Sequence, residues 1–308
     1  MRLAVIDLGT NTVRLLVADL TAGGRWTTVH AEQRVTRIGE GLHASGVLGE
    51  APMARTTAAV LDYVASARAA GAAHVTIVAT SAVRDAANGA AFAQELAAAT
   101  GERVEIITGA EEARLTLRGL RRGLALEAPV MVAFDIGGGS TEYVLARDGA
   151  LEAAASLALG VVPLAERFPF PGPVDRVRYA RLLDETRDRL RAELPPVFTA
   201  AIDLLVGTAG TVTTLAALDL ELAVYDPRRV HGHHLSRASV DRLVGRLGAL
   251  TLEERAALPC LEPGRADLII PGTAIVVATM ERFGVDTLVV SEYGLREGIM
   301  DAACETAS

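Results

Sequence analysis

The sequence predicts an α/β protein with a duplicated β-hairpin, and three observations carry that prediction. Short apolar runs alternate with stretches of helical periodicity, the pattern of helices layered on a mixed sheet. One apolar run, Val130–Phe134, leads into Asp135-Ile-Gly-Gly-Gly-Ser-Thr-Glu142 and then a second run, Tyr143–Ala146. The same plan stands near the start of the chain: Leu3–Ile6, then Asp7-Leu-Gly-Thr-Asn-Thr12, then Val13–Ala18. Each time an Asp closes one strand and a glycine-containing polar turn opens the next.

The remaining elements come in order. Ala51–Ala70 has helical periodicity and stops at Gly71. His74–Ala79 reads as a buried strand. Ala90–Thr100 reads as a helix, with Asn88 as its cap and Gly101 as its stop. Arg103–Ile107 is a strand and Ala110–Gly123 a helix. A break at Leu126-Glu-Ala-Pro129 marks a domain boundary, giving domains 1–126 and 127–308. A hairpin arm near Ala150–Ala158 is followed by the rigid loop Phe168-Pro-Phe-Pro-Gly-Pro173. Helix Val177–Glu193 stops at Pro195-Pro196. Strand Ile202–Val206 leads into Gly207-Thr-Ala-Gly-Thr211 and then a helix. Helices at Ser239–Leu250 and Gly272–Phe283, a strand at Leu288–Ser291 and a final helix complete the pattern.

The two turns suggest phosphate chemistry. Glycines let backbone N–H groups close on an anion with no Cβ in the way. Asp135 and Glu142 flank the second turn and suit a divalent cation held against that anion. Gly207–Thr211 is a separate arrangement, in which helix N–H groups and the dipole face an anion. Neither turn is a commoner phosphate loop. The chain contains no Lys, so no G-x-x-x-x-G-K-[ST] exists, and the residues after Gly139 read as strand rather than helix.

Glu111 and Glu112 lie where a strand becomes a helix. Either acid suits a helix N-terminus. On that helix Ala113, Leu117, Leu120 and Leu124 share a core face, and Glu111 shares a solvated face with Leu115, Arg118 and Arg122. Glu112 shares a face with Thr116, Gly119 and Gly123, small residues that permit close approach, so it is the better candidate for catalysis. Arg14, Arg34, Arg37 and Arg84 fall in loops, where guanidinium groups bind phosphate oxygens. His231-Gly-His-His234 lacks the further Cys or His spacing that a metal site requires.

Composition narrows the class. At 308 residues the chain has room for two domains with real cores. A net charge of −8 argues against a general nucleic-acid binder. All 30 basic residues are Arg, for which coding bias is a sufficient cause. Two cysteines in unrelated contexts fit a reduced, cytoplasmic protein. Asp7 interrupts the first apolar run, which reads against a signal peptide, and no stretch approaches membrane-spanning length.

These motifs together resemble the exopolyphosphatase and guanosine pentaphosphate phosphatase (Ppx/GppA) family. The resemblance rests on Asp7-Leu-Gly-Thr-Asn, Val35-Thr-Arg-Ile-Gly-Glu-Gly41, Ala79-Thr-Ser-Ala-Val-Arg84, Gly109-Ala-Glu-Glu-Ala-Arg114, Asp135–Glu142, Gly207–Thr211, Arg265-Ala-Asp267 and Gly294-Leu-Arg-Glu-Gly298. It departs where Ala209 and Glu292 stand in place of the commoner Ser and Asp. It implies an actin-like (ASKHA) ATPase fold, with two ribonuclease-H-like domains around a cleft, in the short two-domain form. The last helix is then free to pack back on the first domain. It also implies Glu112 as the general base, and Mg²⁺ or another divalent cation on Asp135 and Glu142, with Asp7 joining through water. Gly9, Thr10, Asn11, Arg14, Arg84, Gly137, Gly138, Gly139, Ser140, Gly207, Gly210 and Thr211 would bind phosphates. The implied partners are inorganic polyphosphate or guanosine penta- and tetraphosphate, with no nucleic acid or membrane, and a homodimer is plausible. Hydrolysis of pppGpp to ppGpp, an actin-fold kinase and a non-catalytic phosphate-sensing module are the competing readings.

Overall fold

The structure is a computed structural model and describes residues 1–21 and 25–307. By packing, the chain forms two compact units: Met1–Arg122 with Gly294–Ser308, and Gly123–Tyr293.

The first unit carries five strands: β1 (Arg2–Leu8), β2 (Thr12–Leu20), β3 (Trp26–Val35), β4 (His74–Ala79) and β5 (Val104–Ile106), in the order β3-β2-β1-β4-β5. The first three strands form an antiparallel meander, and β4 and β5 run parallel to β1. β1 reads as a continuous apolar run because helices cover both of its faces. Its alternate residues separate cleanly. Ala4, Ile6 and Leu8 pack with Val60, Tyr63, Phe92 and Leu96. Leu3 and Val5 pack on the other side with Leu115, Leu295, Ile299 and Met300. The terminal helix Leu295–Ala307 therefore completes the core of the first unit.

The second unit repeats the plan. Its strands are β6 (Val130–Ile136), β7 (Thr141–Arg147), β8 (Ala150–Leu157), β9 (Leu204–Thr208), β10 (His234–Ser236) and β11 (Thr287–Val290), in the order β10-β11-β9-β6-β7-β8. β6–β8 form the meander, β9 and β11 run parallel to β6, and β10 adds an antiparallel edge. Both sheets are thus ribonuclease-H-like, each with a meander followed by parallel strands and crossover helices. Helices Ala209–Asp219 and Ile269–Phe283 are buried along most of their length against the second sheet.

Most elements stand where the periodicity places them. The ninth strand begins at Leu204, two residues later than the apolar run starting at Ile202 suggests. β3 has no counterpart among the elements expected from periodicity. No helix among the described residues is long and apolar enough to cross a membrane.

Candidate active site

The two hairpin turns are built alike. Gly9 N–H donates to the Thr12 carbonyl at 3.2 Å, and Gly137 N–H to the Ser140 carbonyl at 2.9 Å. A Cβ on either glycine would lie 3.1 or 2.9 Å from that same oxygen, so both positions favour glycine. In each unit the chain leaving the third strand then grips the turn from behind. After β3, the N–H groups of Thr36 and Arg37 both donate to the Asn11 carbonyl at 3.0 Å, and Gly39 N–H donates to the Thr10 carbonyl at 3.0 Å. After β8, Val161 and Val162 N–H donate to the Gly137 and Gly138 carbonyls at 3.2 and 2.8 Å.

This grip decides what the turns present. A trans peptide points its C=O and the following N–H in opposite directions. Holding the Thr10, Gly137 and Gly138 carbonyls from behind turns the N–H groups of Asn11, Gly138 and Gly139 forward. Among the described residues these three N–H groups donate to no backbone carbonyl. Forward-pointing N–H groups in a glycine turn make an anion cradle. The first grip carries strain: Arg37 adopts φ 52°, unfavourable for a side-chain-bearing residue.

The acids stand at matched register positions. Asp7 pairs across the ladder with Arg14, and Asp135 with Glu142, so each pair shares a face of its sheet. Asp7 is buried, and the Arg14 guanidinium lies 3.5 Å from its Oδ2. Burial pushes the Asp7 carboxyl above its ordinary range, while Arg14 and Arg296 pull it back down. Its Oδ1 is buried with no hydrogen-bond partner. Glu142 is buried too, and its Oε1 accepts from the hydroxyls of Ser140 and Ser156, both at 2.7 Å.

Glu111 and Glu112 separate as the helical faces predict. On helix Gly109–Gly123, Glu111 is half-buried and its carboxylate takes a two-pronged contact from Arg114 at 2.8 and 2.6 Å. That contact holds the Glu111 carboxyl below its usual range. Glu112 is buried, with its Oε2 accepting from Arg84 Nη1 at 2.9 Å. Arg84 sits on the short helix Ser81–Asp85 after β4 and also donates to the Ile107 carbonyl at 3.0 Å. The small face of the helix is filled within the unit. A Cβ on Gly119 would stand 1.9 Å from the Gly294 carbonyl oxygen, and one on Gly298 would stand 1.8 Å from that of Leu115. Those glycines serve a helix crossing, and Leu115, expected on the solvated face, is buried.

The third loop is less open than the first two. Gly207 lies within β9, where a Cβ would stand 2.9 Å from the Phe134 ring, so this glycine serves packing. The buried Thr211 packs against Gly272, where a Cβ would stand 2.5 Å from its Cγ2. A Cβ on Gly210 would lie 2.0 Å from Arg265 Nη1, so the guanidinium rests directly on the loop. Ala209 opens the helix at φ 69°, a strained conformation at the same spot. Local sequence patterns assign no role to Arg265, Ser156 or the Arg84–Glu112 pair. The one available signal for Arg265 is an arginine followed closely by Asp267 between helices.

His231 is structural. Its Nδ1 accepts from Glu292 N–H at 3.2 Å, which leaves Nε2 to donate to the Gly123 carbonyl at 2.8 Å. His233 bonds to Asp219 at 2.9 Å. Among the described residues no three His, Cys, Asp or Glu side chains form a metal-ligand group. The ladder-paired Asp135 and Glu142 offer carboxylate oxygens alone, which suit a hard cation such as Mg²⁺. That ion takes one or two carboxylates and completes its shell with water and phosphate.

Two ribonuclease-H-like units, each with a gripped phosphate-type turn beside an acid, define the actin-like ATPase fold. The family model of the Ppx/GppA phosphatase family matches residues 16–307, and the chain belongs to that family. It is 41% identical to Exopolyphosphatase 2 of Mycobacterium tuberculosis, over 97% of both chains. It is 31% identical to Exopolyphosphatase 1 of Mycobacterium leprae, over 97% of this chain and 88% of that one. The solved Ppx/GppA family member from Aquifex aeolicus superposes with a TM-score of 0.84 at 31% identity, covering 100% of this chain and 99% of that one. An exopolyphosphatase from Cytophaga hutchinsonii superposes with a TM-score of 0.91 at 26% identity, covering 99% and 98%.

Proposed function

We propose that the protein is an exopolyphosphatase that releases terminal orthophosphate from inorganic polyphosphate with the help of a divalent cation, Mg²⁺ by its ligand chemistry. The observation that carries this reading is the repeated turn with forward-facing N–H groups, a device suited to successive phosphates of one chain. The relatives named exopolyphosphatase support the same substrate class.

Glu112 accepts the proton of the attacking water as its oxygen bonds to the terminal phosphorus and the bridging P–O bond breaks. Arg84, 2.9 Å from Oε2, fixes the carboxylate for that transfer. The N–H groups of Asn11, Gly138 and Gly139 take the charge of phosphate oxygens, and Arg14 and Arg265 add cationic character beside the first and third loops. Asp135 and Glu142 would hold the cation, and the buried, unpartnered Asp7 Oδ1 would be an acceptor for water at the first turn. When bound, the cation neutralises phosphate charge and orients the terminal group.

A phosphate-release panel tests the reading. Short polyphosphate, long polyphosphate and pppGpp are each supplied with and without Mg²⁺. Mg²⁺-dependent release from polyphosphate is expected to dominate. Faster release from pppGpp reassigns the substrate, and release from none of the three refutes the hydrolase.

A further inference from the structure

Four residues line up across the second sheet. The register sets Ser156 on β8 against Glu142 on β7, Glu142 against Asp135 on β6, and Asp135 against Thr208 on β9. Side chains at matched positions share a face, so these four form one polar row crossing the strands. The matching row in the first unit reads Gln33, Arg14, Asp7 and Val78. Of these two rows, the one in the second unit sets a hydroxyl beside a buried carboxylate.

The bond is well formed. Ser156 Oγ lies 2.7 Å from Glu142 Oε1, as does Ser140 Oγ from within the turn. One hydroxyl leaves a carboxylate free to swing about its last torsion, whereas two donors from different parts of the chain restrain it. Both bonds fall on Oε1, so Oε2 is the oxygen aimed along the turn, 4.0 Å from where a Gly137 Cβ would stand. Ser140 belongs to the turn itself, but Ser156 comes from a different strand. Its backbone position is exposed at the sheet edge, yet its hydroxyl reaches a glutamate that is 1% exposed.

We propose that Ser156 is a positioning residue that sets the divalent-cation affinity of the Asp135–Glu142 pair by locking the Glu142 carboxylate. The proposal rests on the reading of that pair as the cation holder. Outer-sphere hydrogen bonds to ligating carboxylates commonly change metal affinity by about tenfold or more.

The test titrates Mn²⁺ into the substrate-free protein, followed by its electron paramagnetic resonance signal, for the parent, Ser156→Ala, Ser156→Thr and Glu142→Gln. Thermal melts confirm that each variant is folded. Ser156→Ala should weaken Mn²⁺ about tenfold, Ser156→Thr should restore the parent affinity, and Glu142→Gln should lose the site. In phosphate release, Ser156→Ala should raise the half-saturating Mg²⁺ concentration in step, with kcat recovered at saturating Mg²⁺. Parent-like Mn²⁺ affinity in Ser156→Ala, with binding lost in Glu142→Gln, overturns this proposal alone. Failure of Ser156→Thr to rescue overturns the role of the hydroxyl. Parent-like Mn²⁺ binding in Glu142→Gln overturns the cation assignment and the proposal together.

Discussion

The hairpins β1–β2 and β6–β7 share a seven-pair ladder, a turn bond and a grip from behind, but differ in charge at the ladder position that closes the first strand. Opposite the acid that closes the first strand stands Arg14 in one hairpin and Glu142 in the other. An acid facing an arginine is close to neutral and has little electrostatic demand for a cation. Two facing carboxylates repel one another and are settled by a divalent ion. On the proposed reading, the duplicated scaffold keeps a charge-balanced pair in the first unit and a cation-holding pair in the second.

The largest expected effect lies outside both hairpins. Glu112→Ala should lower phosphate release roughly 1,000-fold while polyphosphate is still retained in a filter-binding assay. Glu111→Ala should stay within about threefold, because its carboxylate is spent on Arg114 in solvent. Equal losses would mean that burial beside Arg84 does not distinguish the base.

Exchanging the differing residue sharpens the comparison directly. Glu142→Arg gives the second hairpin the charges of the first and should cost roughly 100-fold or more in activity, with the Mg²⁺ response gone. Arg14→Glu sets a second carboxylate beside the buried Asp7. A destabilisation of about 2–3 kcal/mol is expected in urea unfolding, below the fully buried range because Arg14 is 26% exposed. An unchanged midpoint would show that Asp7 does not depend on its partner.

The grips differ in rigidity. A Cβ on Gly160 would stand 2.3 Å from the Gly138 carbonyl oxygen, which is backbone, whereas one on Gly39 would meet the Thr10 Cγ2 methyl at 2.2 Å. Gly160→Ala should therefore cost about 3 kcal/mol and Gly39→Ala only about 1–2, since a side chain can turn aside. Melting temperatures in the reverse order would refute the distinction.

The smallest effect is pH-dependent. The folded-state pKa of Glu111 is lowered by Arg114, so its stabilisation is present above the unfolded pKa and fades as pH falls. Glu111→Gln should cost less than about 0.5 kcal/mol at pH 7, and progressively less as pH falls below the ordinary glutamate range, after allowing for solvent screening. A larger loss at low pH would reverse the sign.

Much of this is legible in the sequence. The two turns announce themselves because each carries an Asp, a Gly and flanking apolar runs within a few residues. β3 does not, because it is an edge strand whose residues Thr27, Thr28, Gln33 and Arg34 face solvent, leaving no apolar period. The Arg84–Glu112 pair is fixed by β4 and β5 lying side by side, a long-range arrangement that local patterns do not encode. Ser156 is hidden for the same reason, since only the β7–β8 register brings it to Glu142. The helical face of Glu112 is readable, but Gly119 on it answers to Gly294 and Gly298, whose sequence is far away.

That terminal helix also has a consequence for biosynthesis. The second unit is continuous, from Gly123 to Tyr293, whereas the first lacks Leu295, Ile299 and Met300 from its core until those residues have emerged. On the ribosome the second unit is therefore complete in sequence before the first, against the usual amino-to-carboxyl order of domain folding. The later unit can close first, while the earlier sheet keeps Leu3, Val5 and Leu16 uncovered until Leu295, Ile299 and Met300 have been made.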